Sequence, residues 1–431
     1  MTTRHSGGSQ RSGGSQRSGS PQHSGIWRPE DRAASRYQYL PVEVPAGAAG
    51  LRVALDYDRT SGAVLDLGLF DPAGCFRGWS GGARDWFAAT PEWATPGYLP
   101  GELPAGEWRV LLGLHRVPPP GVAFSLTAQT GPVAPVDRVD PAASTAPAPG
   151  HGPAVPAAAR RDLPSAGGLT WLAGDLHAHT EHSDGTLTVD QLAALAAASG
   201  LDFLAVTDHN TVSHHPALAA AGARAGVVLV PGQEITTDRG HANAFGDIGW
   251  VDFRRSAADW VSTVADRGGL LSINHPLGSD CAWRHPLPQR PPLAEVWHSG
   301  WWDRTWGAPL AWLMAWGWDT VAVGGSDFHR LTDHVRPGQP TTWVACPDRS
   351  AAGVLDGLAA GRVAVSAAPD GPLLLPVEDG MVALDADGAL LADATGRRRL
   401  VRGDRAVLPA GPGLHWLEDH RTQILAFCRT G

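Results

Sequence analysis

The sequence contains no lysine; all 34 basic residues are arginine. That absence excludes lysine Schiff-base chemistry and any metal bridge built on a carbamylated lysine. Cysteine is sparse. Cys75, Cys281, Cys346 and Cys428 form no C-x-x-C pair, so buried thiols are expected rather than a disulfide scaffold. Apolar runs of membrane-spanning length are missing, and no membrane partner is expected. The first 25 residues lack an apolar core, so they do not read as a secretory signal, and a cytoplasmic location is the expectation. Positive charge is also short: the formal net charge of −9 argues against a nucleic-acid scaffold and against a nucleic-acid partner.

What is present can bury a large core. Hydrophobic residues make up 43% of the chain and charged residues 18%, and 431 residues leave room for two or three domains. Residues 1–29 begin with a repeated Ser-Gly-Gly-Ser-Gln-Arg unit and read as a disordered tail. Residues 30–135 carry short alternating runs such as Leu51-Arg52-Val53-Ala54-Leu55, broken by Gly and Pro. That pattern predicts a β-sandwich-like domain. Residues 136–167 are a Pro/Ala-rich linker or a wrap over the next domain. Residues 168–366 alternate strand and helix, which predicts an α/β fold with a mainly parallel sheet closed into a barrel. Residues 367–431 return to short strands and read as a small β-rich appendix.

Within the α/β part lies Asp175-Leu176-His177-Ala178-His179, at the end of an apolar run. Residues two apart on a strand point to one side, so His177 and His179 project together and can grip a metal. Asp184 follows in a Ser-Asp-Gly turn, where a carboxylate could reach a second ion. Alone, the stretch reads more readily as a turn with solvated histidines. Other strands change that. Thr207-Asp208-His209-Asn210 follows Phe203–Val206, and Gln233-Glu234 follows Val227–Val230. Gly240-His241, Asn274-His275-Pro276 and Ser326-Asp327-Phe328-His329 complete the series. Twelve of 18 histidines fall between His177 and His334, a clustering that favours a metal site over surface histidines.

As an ordered set these motifs resemble the PHP (polymerase and histidinol phosphatase) superfamily, and in particular its CehA/McbA-like metallohydrolases. The resemblance covers about residues 170–366. It implies a distorted (β/α)7 barrel holding two or three divalent ions. Carried over by motif, the first ion would take His177, His179, Glu234 and Asp327. Glu234 would bridge to a second ion held by His241 and His275. A third would take Asp184, His209 and His329, with His182 as an alternative to Asp184. Asp208 would orient a ligand from behind, and Asp175 would do the same or brace a turn. His and carboxylate donors suit Mn, Fe or Zn. The chemistry implied is attack by a metal-held hydroxide, on a phosphoester first of all. A carbamate or carboxylic ester hydrolase and a non-catalytic binding module are the alternatives. The amidohydrolase pattern also begins with His-x-His, but its lysine-bridged version is excluded here.

A small-molecule phosphoester is thus the expected partner. Arg239, Arg284, Arg304 and Arg330 are candidate anion clamps. His285, His298 and His334 lie near the motifs without being expected ligands; one of them is a candidate proton donor. Eight of the 18 tryptophans fall between Trp283 and Trp318. Trp312 and Trp316 share a helix face and read as core, whereas Trp301 and Trp302 suggest an aromatic wall at the site's mouth.

Overall fold

The computed structural model describes residues 22–134, 161–164, 166–279, 281–317 and 319–431. Of the tail expected over residues 1–29, residues 1–21 lie outside these, as do most of the expected linker and Trp318. Within the rest of that stretch β1 (His23–Trp27) pairs antiparallel with β8 (Val122–Thr130). Helix α1 (Pro29–Ala34) follows directly.

The N-terminal strands are β2 (Tyr37–Val44), β3 (Leu51–Tyr57), β4 (Val64–Phe70), β5 (Phe76–Gly81), β6 (Trp86–Ala89) and β7 (Gly106–Arg116). With β1 and β8 they form two four-stranded sheets, ordered β1-β8-β3-β6 and β2-β7-β4-β5. Alternation decides what each face does. Leu65, Leu67 and Leu69 of β4 share one core with Leu51, Val53 and Leu55 of β3. The opposite face of the second sheet is not solvated. Its Phe70, Phe76, Trp79 and Leu111 pack with Ile235, Val251, Phe253 and Trp260 from later in the chain. A sheet buried on both faces is held to its neighbour by the hydrophobic effect.

The α/β part comprises β9 (Thr170–Asp175), α2 (Val189–Ala198), β10 (Phe203–Val206), α3 (His215–Ala225), β11 (Val228–Thr237) and β12 (Gly240–Phe245). It continues with α4 (Ala257–Asp266), β13 (Leu270–Ile273), β14 (Leu293–His298), α5 (Ala308–Trp316) and β15 (Val321–Gly325). Thr188 and Ser256 cap α2 and α4 by accepting from the backbone N–H three residues on. Strands β9 to β15 are consecutive in one sheet. A parallel bridge between Ala178 and Phe328 links the segments after β9 and β15, so the seven strands curl back on themselves.

The expectation of a mainly parallel sheet needs one correction. Strand β12 runs antiparallel to both β11 and β13. Strand β11 continues to Thr237 and turns straight into β12, so Glu234 lies inside a hairpin, opposite Asn243, rather than beyond a strand end. Strand β14, bounded by Pro291-Pro292 and Ser299-Gly300, was not among the strands expected from the sequence.

The α/β part ends with β16 (Thr341–Cys346), α6 (Ala351–Ala359) and β17 (Val363–Ser366), and the C-terminal region adds β18 (Leu373–Val377), β19 (Gly380–Leu384), β20 (Leu390–Asp393), β21 (Arg398–Leu400), β22 (Arg405–Leu408), β23 (Gly413–Glu418) and β24 (Ile424–Thr430). Strands β16, β17, β24, β23, β20 and β21 extend the same sheet beyond β9. No helix among the described residues is long and apolar enough to cross a membrane.

Phe253 tests the seam between the N-terminal sheet and the ring. Its ring lies 4.7 Å from Trp79 and 5.6 Å from Tyr37. Phe253→Ala is expected to cost about 3–5 kcal/mol in chemical denaturation, the range for a buried aromatic.

Candidate metal centre

The chain after β9 is locked before it carries any chemistry. Asp175 Oδ1 accepts from the backbone N–H of His177 (3.1 Å) and of Ser326 (2.9 Å). Its Oδ2 accepts from Gly338 N–H at 2.8 Å. One buried carboxylate thus braces three segments, and neither of its oxygens bonds an imidazole. His179 N–H donates to Phe328 O and Asp327 N–H to His177 O, both at 2.9 Å. These bonds set His177 and His179 against Asp327.

Glu234 is the meeting point. Its Oε1 lies 3.3 Å from His177 Nε2, 3.1 Å from His241 Nδ1 and 3.5 Å from His275 Nε2. Its Oε2 lies 3.6 Å from His179 Nε2 and 2.6 Å from His209 Nδ1. Asp327 Oδ1 sits 3.2 Å from His177 Nε2 and 2.9 Å from His179 Nε2. Asp184 Oδ1 is 3.5 Å from His209 Nε2 and 3.3 Å from His329 Nε2. Among the described residues five groups with donor atoms within 4.8 Å of one another result: His177, His179 and Glu234; Glu234, His241 and His275; His179, Asp184, His209 and His329; and two that include His298, namely His177, Glu295 and His298, and His275, His298 and Asp327. His179 thus reaches the third group as well as the first.

The donor set fits divalent cations. His177 Nδ1 lies 3.0 Å from Glu295 Oε1, while its Nε2 is buried with no hydrogen-bond partner. A proton held at Nδ1 leaves the Nε2 lone pair facing the cluster, as a metal ligand requires. Backbone strain accompanies the site: Asn210, His275 and Asp327 have φ of 54°, 28° and 55°. Such conformations cost about 1–3 kcal/mol each and persist where surrounding structure enforces them.

Without metal the charges are strongly coupled. Burial alone would raise the Glu234 carboxyl, but His209, His177 and His241 hold it well below the usual carboxylate range. Asp327 is held down likewise, against burial, by His177 and its neighbours. His209 shows the converse: burial opposes its charge, yet Glu234 and Asp184 raise it to about 9. His179 goes the other way, pushed to about 4 by burial and by His329 and His209.

Other foreseen residues fall into place or out of it. His182 Nδ1 bonds Ser213 Oγ at 2.7 Å and joins none of these groups, whereas Asp184 joins one. Asp208 accepts from Thr180 N–H (2.8 Å) and Ser183 Oγ (2.6 Å), and Ser183 lies 3.5 Å from His179 Nδ1. Its support for a ligand is therefore indirect. His298 is closer than expected: its Nε2 is 3.2 Å from Asp327 Oδ2. His285 bonds Thr237 Oγ1 and packs on Trp260, and His334 is exposed. Arg284 lines the mouth, and Arg239 donates to its carbonyl. Arg304 does not reach the site, because it bonds Gln423 against β24; Arg330 turns outward to Asp333. The aromatic wall is corrected too. Trp301 is 7% exposed in the core beside Trp297, and Trp302 is 87% exposed and lines neither cavity. Of the cysteines, Cys346 and Cys428 are buried, Cys281 lines the mouth and Cys75 is exposed.

Three features escaped the sequence. Glu295 of β14 bonds His177 and also accepts from His275 N–H at 2.9 Å. Asn274 Nδ2 donates to Glu234 Oε1 at 2.8 Å. The pairing of an apolar run with Glu-x-x-His over Leu293–His298 was the available signal. The third is the roof. The outer face of the β2-β7-β4-β5 sheet closes a cavity of about 450 Å³ over Asp184, His209 and His241. Asp66 of β4 faces this cavity, and burial pushes its carboxyl up to about 7.

A family profile described as PHP domain matches part of this region. Residues 175–275 match the PHP domain. That stretch contains seven of the nine foreseen ligands; Asp327 and His329 lie beyond it. The chain is also similar to curated relatives. One is the 5'-3' exoribonuclease Rnm of Salmonella typhimurium, 43% identical over 65 residues, or 15% of this chain and 22% of the relative. Another is a 5'-3' exoribonuclease of Haemophilus influenzae, 38% identical over 64 residues, 15% of this chain and 23% of the relative. The chain thus spans under a quarter of either. Among solved structures, one similar chain is a two-domain protein of Bacteroides vulgatus containing a predicted PHP-like metal-dependent phosphoesterase. It is 18% identical with a TM-score of 0.40, covering 63% of this chain and 90% of that one. Another is an amidohydrolase of Chromobacterium violaceum, 19% identical with a TM-score of 0.29, covering 38% and 89%.

Two outcomes follow from this geometry. Glu295→Ala removes the acceptor that holds His177, and is expected to lower metal affinity about 10–100-fold, read by metal titration of the folded variant. In the metal-free protein His209 and His329 are raised above 6.5. A raised folded pKa contributes stability that is complete below the unfolded value and lost as pH rises through the folded one. Thermal midpoints in chelator should therefore fall between pH 6.5 and about 9. Added divalent metal should reduce that fall, since it needs neutral imidazoles.

Proposed function

We propose that this chain is a metal-dependent hydrolase whose main reaction is phosphoester hydrolysis. The observation that carries the reading is the convergence of five imidazoles within 3.6 Å of the Glu234 carboxylate. On this reading His177, His179, Glu234 and Asp327 hold one ion, Glu234, His241 and His275 a second, and Asp184, His209 and His329 a third. Such ions (Mn, Fe or Zn) would supply a water of lowered pKa as nucleophile and offset charge on a phosphoryl group. The protein's own part is positional. Glu295 and Asn274 orient His177 and Glu234, and His298 holds the outer oxygen of Asp327. The sheet roof limits water above the site.

The ring β9–β15 we read as a distorted (β/α)7 PHP barrel, with a β-sandwich before it as in CehA/McbA-like metallohydrolases. Carbamate or ester hydrolysis on the same metals has less support, because Trp301 is core rather than an aromatic wall. A second reading, RNA as substrate, draws on the names of the two exoribonuclease relatives.

The test is a screen of metal-loaded protein on p-nitrophenyl phosphate, bis-p-nitrophenyl phosphate, an aryl carbamate and a short oligoribonucleotide. Turnover of a phosphate ester is expected, reduced at least about 100-fold in His177→Ala and Asp327→Ala. Turnover of the carbamate alone would overturn the phosphoesterase reading. Bound metal with no turnover of any substrate would leave a binding module instead.

A further inference from the structure

The mouth of the site is built from two distant parts of the chain. A cleft of about 710 Å³ has candidate ligands on its floor, among them His209, His275, Asp327 and His329. Its rim carries Arg32, Arg116 and Arg284. Arg32 comes from α1 and Arg116 from the end of β7, so the N-terminal sheets supply two of the three guanidiniums.

These arginines are set differently. Arg32 is tethered: its Nε donates to Leu114 O (2.9 Å) and His115 O (3.1 Å), and its Nη2 lies 3.0 Å from Asp238 Oδ2. Arg36 also pairs with Asp238, joining the rim to the adjoining cavity. Arg284 Nη2 donates to the Asp238 carbonyl at 2.5 Å. The Arg116 side chain is exposed and has no hydrogen bond or ion pair among the described residues. Arg36 is depressed by burial and then by Arg32, Arg239 and Arg284. The Asp238 carboxylate offsets part of this charge at Arg32 and Arg36, and three guanidiniums lining one cleft still favour a further anion. The net charge of the chain is −9, so this local basic rim runs against its overall balance.

We propose that Arg32, Arg116 and Arg284 form a subsite for a second, non-reacting anionic group of the substrate. The substrate class is then a small phosphoester bearing a further carboxylate or phosphate, which an arginine fork can grip in two-point fashion. The roofed cavity favours a small molecule over a polymer. This inference rests on the phosphoesterase reading for its reacting end, but the subsite can be measured without turnover.

The kinetic arm compares phenyl phosphate with 4-carboxyphenyl phosphate on metal-loaded wild type and on Arg32→Gln, Arg116→Gln and the double variant. The wild type should prefer the carboxylated ester at least about tenfold in kcat/KM, and the double variant should lose most of that ratio. Equal use of both esters, or a ratio retained in the double variant, would overturn the subsite. The binding arm uses calorimetry with phenylphosphonate and 4-carboxyphenylphosphonate, neither of which is hydrolysed. Here too the carboxylate should add about tenfold, lost in the variants. That result with no turnover of either ester would reject the phosphoesterase reading and keep the anion subsite. Arg116→Gln removes an exposed, unpaired side chain, so it stays informative if Arg32→Gln fails to fold. Tighter, arginine-dependent binding of a short oligoribonucleotide than of either phosphonate would overturn the small-substrate class.

Discussion

The structure depends on one buried carboxylate. Glu234 collects five imidazoles and an asparagine amide, drawn from the β9 end, the β10 end, the β11–β12 hairpin and the β13 end. Burying an unpaired carboxylate is costly, and burying several histidines around one is tolerable only when charges or a metal compensate. The hairpin is what makes this possible. Strand β11 runs parallel to β10 and then antiparallel to β12, which puts Glu234 and His241 on facing strands. A parallel strand ending at Val230 would have left Glu234 in a loop.

Behind the candidate ligands stands a layer of bracing carboxylates. Asp175 ties three backbone segments, Glu295 fixes one ring nitrogen of His177, and Asp208 works through Ser183. Their partners are N–H or O–H donors, so they set the geometry of the cluster. The same division explains why Asp184 and His182, two residues apart, part company. One turns to His209 and His329, the other to Ser213.

The N-terminal sheets change the character of the site. Their outer face is apolar where it meets Phe253 and Trp260, and polar or small where it meets the cluster, at Asp66 and Gly113. Gly113 is needed there, since a Cβ would lie 2.6 Å from Asp66 Oδ2. An open metal cleft is thereby turned into a partly roofed one with arginines at its rim.

The sequence by itself determined which residues could act. The spacing of His177 and His179, the capped helices at Thr188 and Ser256, and the short strands at Phe203–Val206 and Leu270–Ile273 follow from local rules of periodicity and capping. So does the clustering of imidazoles, because metal-competent side chains stand out by type. What only the tertiary structure decided depends on pairing across long separations. Glu295 and Arg116 look like ordinary strand residues until β14 is placed beside β13 and β7 is laid over the ring. Arg304 and Trp301 looked useful until burial and partners drew them elsewhere. Local pattern specifies what a side chain is able to do; which other side chains it meets is set by the register and packing of strands far apart in the chain.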